Sequence, residues 1–303
     1  KSVFRLHGVD VGGTVVLRRQ LRRAQMLAFF SRLPPCLIGM EACAGAHYWA
    51  RELSKFGHEV RLIPPSYVKP FVRRGKTDSA DAEAICTAVM QPSMRFVPVK
   101  TPGQQAVLMQ HRVRDFLVRQ QTQLANAIRS HLGEFGIVVA RVVHRIEKLL
   151  HGAPGAALPE SVITSLDLLA RQFMDTQARI AEITRQIREA AERNEQARLL
   201  QTMPGIGPIT ASAIVAHIAD TSAFRTSRDL SAWLGLTPKP HSSGGKHRVG
   251  SISKMGNRYL RRLLYLGAMG VISARRKAGE QNDWLGRILA TKPAKVAAVA
   301  LAN

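Results

Sequence analysis

Three acids in this chain stand where acids do chemistry. Glu41 closes an apolar run, CLIGM, that reads as a buried strand, and Asp78 and Asp81 sit three residues apart in KTDSADAEAI. The carboxyl end of such a strand is where open α/β sheets bind ligands. An i, i+3 pair shares one face of a helix. Carboxylate oxygens in this set suit a hard cation, Mg²⁺ above all, and paired Mg²⁺ ions can clamp a phosphodiester. Acids in a first helical turn also have a structural use, because the helix dipole favours them there. Glu41 on a strand, and Arg73, Arg74 and Lys76 beside the pair, balance that use against a functional one. A further acid, Asp10, lies in GVDVGGT between two short β-type runs, 2–9 and 14–21, and fits a hairpin turn better than a ligand position.

Two Gly-rich stretches offer other chemistry. PGIGPITA (204–211) reads as the hairpin of a helix-hairpin-helix, with Gly205 and Gly207 letting backbone N–H groups approach a phosphate at a helix N-terminus. A plain helix-opening turn has the same pattern. SSGGK (242–246) sets two hydroxyls beside two glycines and Lys246, with Arg248 close by. Such a loop binds phosphate, presents a serine nucleophile, or is simply solvated. His241 and His247 are near in sequence, but spacing assigns neither as a base.

The composition narrows the partner. Lys and Arg number 44 against 21 Asp and Glu, a net charge of +23, which points to a polyanion, most often nucleic acid. Three cysteines without a CxxC pairing indicate neither a zinc site nor a disulfide framework, and a reducing cytoplasm is the default. No apolar run approaches the roughly 18 residues that span a membrane, and no signal peptide is visible. The chain starts at Lys1 without an initiator Met and stops within an apolar helical pattern, AKVAAVALAN, so both ends read as cut.

Positioning these groups requires particular elements. The hairpin leads to a helix (RAQMLAFFSRL), the strand ending at Glu41, and a helix (AHYWARELSKF) with Trp49, Leu53 and Phe56 on one face. Gly57 ends that helix and HEVRLI forms the next strand. This is a strand–helix–strand unit with a right-handed crossover and parallel pairing. A helix from about Thr77 to Met90 carries the paired acids. From Gln104 the chain is helical and basic, studded by Arg112, Arg114, Arg119 and Arg129. A Gly/Pro/Ala linker (151–159) precedes apolar residues from Leu166 to Ala190 at alternating spacings of three and four, a heptad seam for a coiled-coil or helical-hairpin partner. The basic helix KMGNRYLRRLLYLGAMGVISARR, with Lys254 and Arg258 at its start, follows the SSGGK loop.

Taken together, SVFRLHGVD, GMEACAGAHYWAREL, PPSYVKPFVRRGKTDSADAEAI, PGIGPITASAIVAHI and AWLGLTPKPHSSGGKHRVGSISKMGNRYLRRLL closely resemble the DEDD transposases of bacterial insertion sequences, of the insertion-sequence-110/1111 type related to the Piv DNA invertase. The resemblance implies an α/β RNase H-like (RuvC-like) N-terminal domain over 1–150, a linker and coiled-coil helix over 151–196, and a mostly α C-terminal transposase domain over 197–303. It implies a transposase or site-specific recombinase acting on DNA with Mg²⁺, guided by a bridge-type RNA. Glu41, Asp78 and Asp81 match the family's second acid and its paired acids; Ser243, with Ser242 the near miss, matches its serine nucleophile. The family's first Asp precedes a lysine that matches Lys1, so the resemblance places that Asp three residues before Lys1 and its strand outside the sequence. Basic residues (Arg73, Arg74, Lys76, Arg112, Arg119, Arg129, Lys246, Arg248, Lys254, Arg258) and the glycines Gly205 and Gly207 are the expected nucleic-acid contacts. A homo-oligomer, dimer or tetramer, held by the coiled coil in the bacterial cytoplasm at the nucleoid completes the expectation. Two rivals stand beside it: a RuvC-like junction-resolving nuclease using water, and a non-catalytic nucleic-acid-binding remnant if the first Asp is absent from the gene.

Overall fold

In a computed structural model, which describes residues 2–72, 77–138, 158–218, 220–242, 244, 248–278 and 283–303, the first two β-type runs pair as expected. Strands β1 (Val3–Val9) and β2 (Val15–Arg22) form an antiparallel hairpin, in register from Val3 opposite Arg22. Asp10 makes its turn: its N–H donates to the Thr14 carbonyl at 2.9 Å, and its Oδ1 accepts from the Thr14 N–H at 2.8 Å. The chain divides into two compact units, Lys1–Pro102 and Gly103–Asn303.

In the first unit, helix α1 (Met26–Phe30) leads to β3 (Leu37–Glu41), helix α2 (Ala46–Ser54) and β4 (Glu59–Ile63). β3 and β4 are parallel, with Leu37 opposite Glu59 and Glu41 opposite Ile63. The two-residue period of a strand sorts its side chains to opposite faces. Ile38, Met40 and Val60 join Phe4, Leu6, Leu21, Met26, Phe30, Trp49 and Leu53 in one core. Leu37 and Ile63 join the other, with Ala84, Ala88 and Val89. That second core belongs to helix α4 (Asp78–Val89), reached through the short helix α3 (Pro65–Val68). Gly39 permits the contact: a Cβ there would lie 2.8 Å from the Cβ of Val89. Phe56 departs from expectation. α2 stops at Ser54 and Gly57 turns at φ +85°, so Phe56 lies past the helix and is 37% exposed. His58 is buried there; its Nδ1 accepts from the Cys36 N–H at 3.2 Å, so Nε2–H donates to the Phe30 carbonyl at 2.9 Å. The N-terminal part is thus α/β, but among the described residues its strands form two separate two-stranded sheets.

The second unit is mostly helical: α5 (Pro102–Gly133, beginning at the boundary), α6 (Glu160–Arg193), α7 (Glu195–Gln201), α8 (Pro208–His217), α9 (Ser227–Leu234), α10 (Arg258–Ala278), α11 (Trp284–Thr291) and α12 (Ala294–Ala302). Short strands β5 (Pro238–Pro240) and β6 (Val249–Ile252) pair antiparallel between α9 and α10. The apolar seam of α6 finds a partner within the chain. Leu166, Leu169 and Phe173 pack with Leu124, Ala125, Ile128 and Leu132 of α5, and Arg114 Nε donates to Thr184 Oγ1 at 2.8 Å further along, so the helices run antiparallel. At its far end the seam shifts by one position: Ala191 is buried, with Ala197 and Ala211, and Ala190 is exposed. The linker reading falls mainly on 151–157, outside the described residues.

Candidate active site

Glu41 is the last residue of β3 and alternates with Leu37 and Gly39, so it shares the sheet face that α4 covers. Thr77 starts α4: its hydroxyl oxygen accepts from the Ala80 N–H at 3.2 Å and its carbonyl from the Asp81 N–H at 3.1 Å. That cap sets Asp78 and Asp81 in the first turn, Asp78 exposed and Asp81 half-buried. One cleft of about 180 Å³ is lined by Glu41, Asp78 and Asp81 together. Its walls come from both β1 (Val3–Leu6) and β3 (Ile38–Glu41), two strands that are not paired with each other. Ala82 and Ile85 of α4, and Trp49 and Leu53 of α2, complete it.

The cleft carries charge of both signs. Among the described residues, Glu41, Asp78 and Asp81 have no hydrogen-bonded or ion-paired partner for their carboxylates, in a chain of net charge +23. Carboxylates gathered around a cleft repel one another unless a cation or donor joins them. Among the described residues, no three of His, Cys, Asp and Glu converge closely enough to hold a metal by themselves. The donors are nevertheless hard oxygens, the ligand type Mg²⁺ takes, and Mg²⁺ is commonly held by one or two carboxylates plus substrate phosphate. Two cations that sequence reasoning passed over, Arg5 and Arg23, line the same cleft. Arg23 lies over the rings of Trp49 (5.0 Å) and Tyr48 (5.9 Å). Arg5 had a legible signal, since it falls between Phe4 and Leu6, which face the other core.

The remaining expected contacts are scattered. Arg112 is exposed; Arg119 is exposed and pairs with Asp115 at 3.6 Å; Arg129 is half-buried and bonds Asn126. Gly205 has a packing duty: at φ +85° it meets α10 so closely that a Cβ on Gly267 would lie 1.9 Å from its carbonyl oxygen. Gly207 starts α8 with open space beside it. Arg248, Lys254 and Arg258 are exposed. The loop of Ser242 is closed at its base, where the His241 N–H donates to the Arg248 carbonyl at 2.9 Å. The ring of His241 lies against Gly250. Ser243, Lys246, Arg73, Arg74 and Lys76 lie outside the described residues.

Two family models match the chain: one described as a transposase, the DEDD type of IS110, over residues 7–137, and the transposase IS116/IS110/IS902 family over residues 197–282. A probable family 20 transposase of Pseudomonas aeruginosa is 48% identical over the whole chain and 91% of its own length. The transposase for insertion sequence element IS1328 of Yersinia enterocolitica is 39% identical, again over 100% of this chain and 91% of its own. A pilin gene-inverting protein of Moraxella bovis is 38% identical over 79 residues, 26% of this chain and 24% of its own. With relatives this similar along its whole length, and with its paired acids inside the DEDD match, the chain belongs to the IS110/IS1111 family of DEDD transposases and is a DNA transposase.

Proposed function

We propose that this transposase moves an insertion sequence by metal-assisted phosphodiester chemistry at Glu41, Asp78 and Asp81, with Ser243 as nucleophile and a structured RNA as guide. The supporting observation is that three carboxylates without partners among the described residues line one cleft of an otherwise strongly basic chain. Mg²⁺ bound there would offset charge on the scissile phosphate. The RuvC-like reading adds a strand bearing a fourth acid. Among the described residues, β1 and β3, which bound the cleft, have one paired neighbour each; a strand added between them would run along the cleft that the three acids line.

Ser243 Oγ attacks phosphorus and the bond to the sugar oxygen breaks; the proton given up by serine is balanced by the one the departing sugar oxygen takes up, and a phosphoserine link to DNA remains. A second strand's hydroxyl then displaces the serine. Each step breaks one phosphoester bond and forms one, so strands rejoin without ATP. Arg112, Arg119, Arg129, Arg248, Lys254 and Arg258 supply cations for DNA or RNA backbone. A homo-oligomer, dimer or tetramer, would let carboxylates and serine come from different copies. A bacterial cytoplasm, at the nucleoid, is where such substrates lie.

The test is recombination between element ends and target with the guide RNA, using the full gene product and its Ser243→Ala variant. Loss of both recombination and a trappable protein–DNA adduct is expected. Full activity of the variant would remove Ser243 from the mechanism. Cleavage that persists without an adduct would favour metal-activated water, as in a junction-resolving nuclease.

A further inference from the structure

Lys254 is the one described residue other than glycine with positive φ, at 55°. Glycine adopts that conformation freely and lysine does so at a cost. The turn that carries it is stacked on the end of α9, backbone against backbone. A Cβ on Gly256 would lie 1.8 Å from the Trp233 carbonyl oxygen, and one on Gly235 would lie 1.9 Å from that of Met255. The Lys254 N–H donates to the Gly235 carbonyl at 3.0 Å. Arg261 Nη1 donates to the carbonyls of Leu234 (2.7 Å) and Met255 (3.1 Å), clamping both segments. So rigid a backbone holds an outward surface that burial does not explain. Trp233 is 39% exposed and Met255 61% exposed, and Phe224 meets the Trp233 ring edge-on at 5.6 Å. Lys254, next to Met255 in the chain, and Arg258, three residues after it, are exposed and without a carboxylate partner among the described residues.

We propose that Trp233 and Met255 form a platform on which an unpaired nucleobase stacks, while Lys254 and Arg258 take the adjoining phosphates. An aromatic face accepts any base, and flanking cations follow the backbone. A duplex keeps its bases stacked inward and has none to offer the platform. The platform residues belong to the second unit and the carboxylates to the first, and the proposal rests only on the chain's handling of nucleic acid. Binding can therefore be measured in EDTA, where failure of the carboxylate or serine chemistry has no effect.

The experiment is fluorescence anisotropy of the full chain with fluorescein-labelled oligodeoxythymidine, the same length of oligouridine, and a duplex DNA, across a salt series. Trp233→Ala is expected to weaken single-strand binding about thirtyfold, the middle of the stacking range, with less than a twofold change for the duplex. Trp233→Phe keeps most of the affinity, which separates stacking from misfolding. Lys254→Gly, relieved of positive-φ strain, keeps its thermal stability and lowers the slope of log affinity against log salt for the single strand by about 0.7. A preference for either single strand supports the platform and names the nucleic acid it serves. Equal losses for single strand and duplex, no loss in either, or an unchanged salt slope in Lys254→Gly overturns it.

Discussion

His111 gives the sharpest quantitative expectation. It is 1% exposed in the second unit, with Nδ1 3.0 Å from the Tyr259 hydroxyl and Nε2 3.1 Å from Ser212 Oγ. Burial first, then the charges of His217 and Arg114, hold its pKa down at about 4 from 6.5. The folded protein therefore keeps His111 neutral while the unfolded chain takes up a proton near 6.5. Stability from this residue is complete above that value and is lost as pH falls toward 4. Linkage between the two values removes about 2 kcal/mol between pH 7 and pH 5. The check is urea unfolding of wild type and His111→Gln at pH 7, 6 and 5. Glutamine can donate and accept in the same pocket, so the variant is about 1–2 kcal/mol less stable at pH 7, the worth of an imperfectly replaced hydrogen-bonded pair. The gap should close on acidification, because the variant lacks the group that must stay neutral. Arg114 and Asp115 on α5, Ser212 and His217 on α8, and Tyr259 and Arg262 on α10 surround the site and are common to both proteins, so their own titration largely cancels. Parallel stability profiles for the two proteins would refute the reasoning.

Other perturbations test the cleft and the packing. Asp78→Asn and Asp81→Asn should each reduce recombination by about 100-fold or more, the loss of a few kcal/mol of charge stabilisation, with thermal stability unchanged, since neither carboxylate has a partner among the described residues; equal activity of both variants and wild type would remove these acids from the site. Gly39→Val drives a side chain into Val89 and should lower stability by about 1–3 kcal/mol, read as a shifted urea midpoint. Gly267→Ala meets backbone rather than a yielding side chain, at 1.9 Å, so its loss should be at the top of that range or beyond and appear in thermal unfolding.

Much of this was legible along the chain. The hairpin turn at Asp10, the strand ending at Glu41 and the Thr77-capped helix are local events, written in turn residues, two-residue alternation and a cap. Phe56 shows the limit of periodicity: Gly57 marks a stop in the sequence, but the helical pattern does not record that the helix already ends at Ser54. Gly205 shows another. Its motif is compatible with an approach to phosphate, but its close neighbour, Gly267, lies 62 positions away and is visible only in the packed chain.

The sequence by itself determined the family, the order of the acids and the excess of positive charge, because motifs and composition are properties of the chain read in line. Tertiary structure decided what those residues share. Alternation along β3 puts Glu41 with Leu37 and Gly39, but only the packing of Val89 on Gly39 says that α4, with Asp78 and Asp81, covers that face. The folded chain also sets Arg5 and Arg23 on the cleft wall, and the return of α6 along α5 gives the apolar seam a partner inside the chain. Such contacts join residues far apart in sequence, and local propensity carries no information about which distant surface will be met.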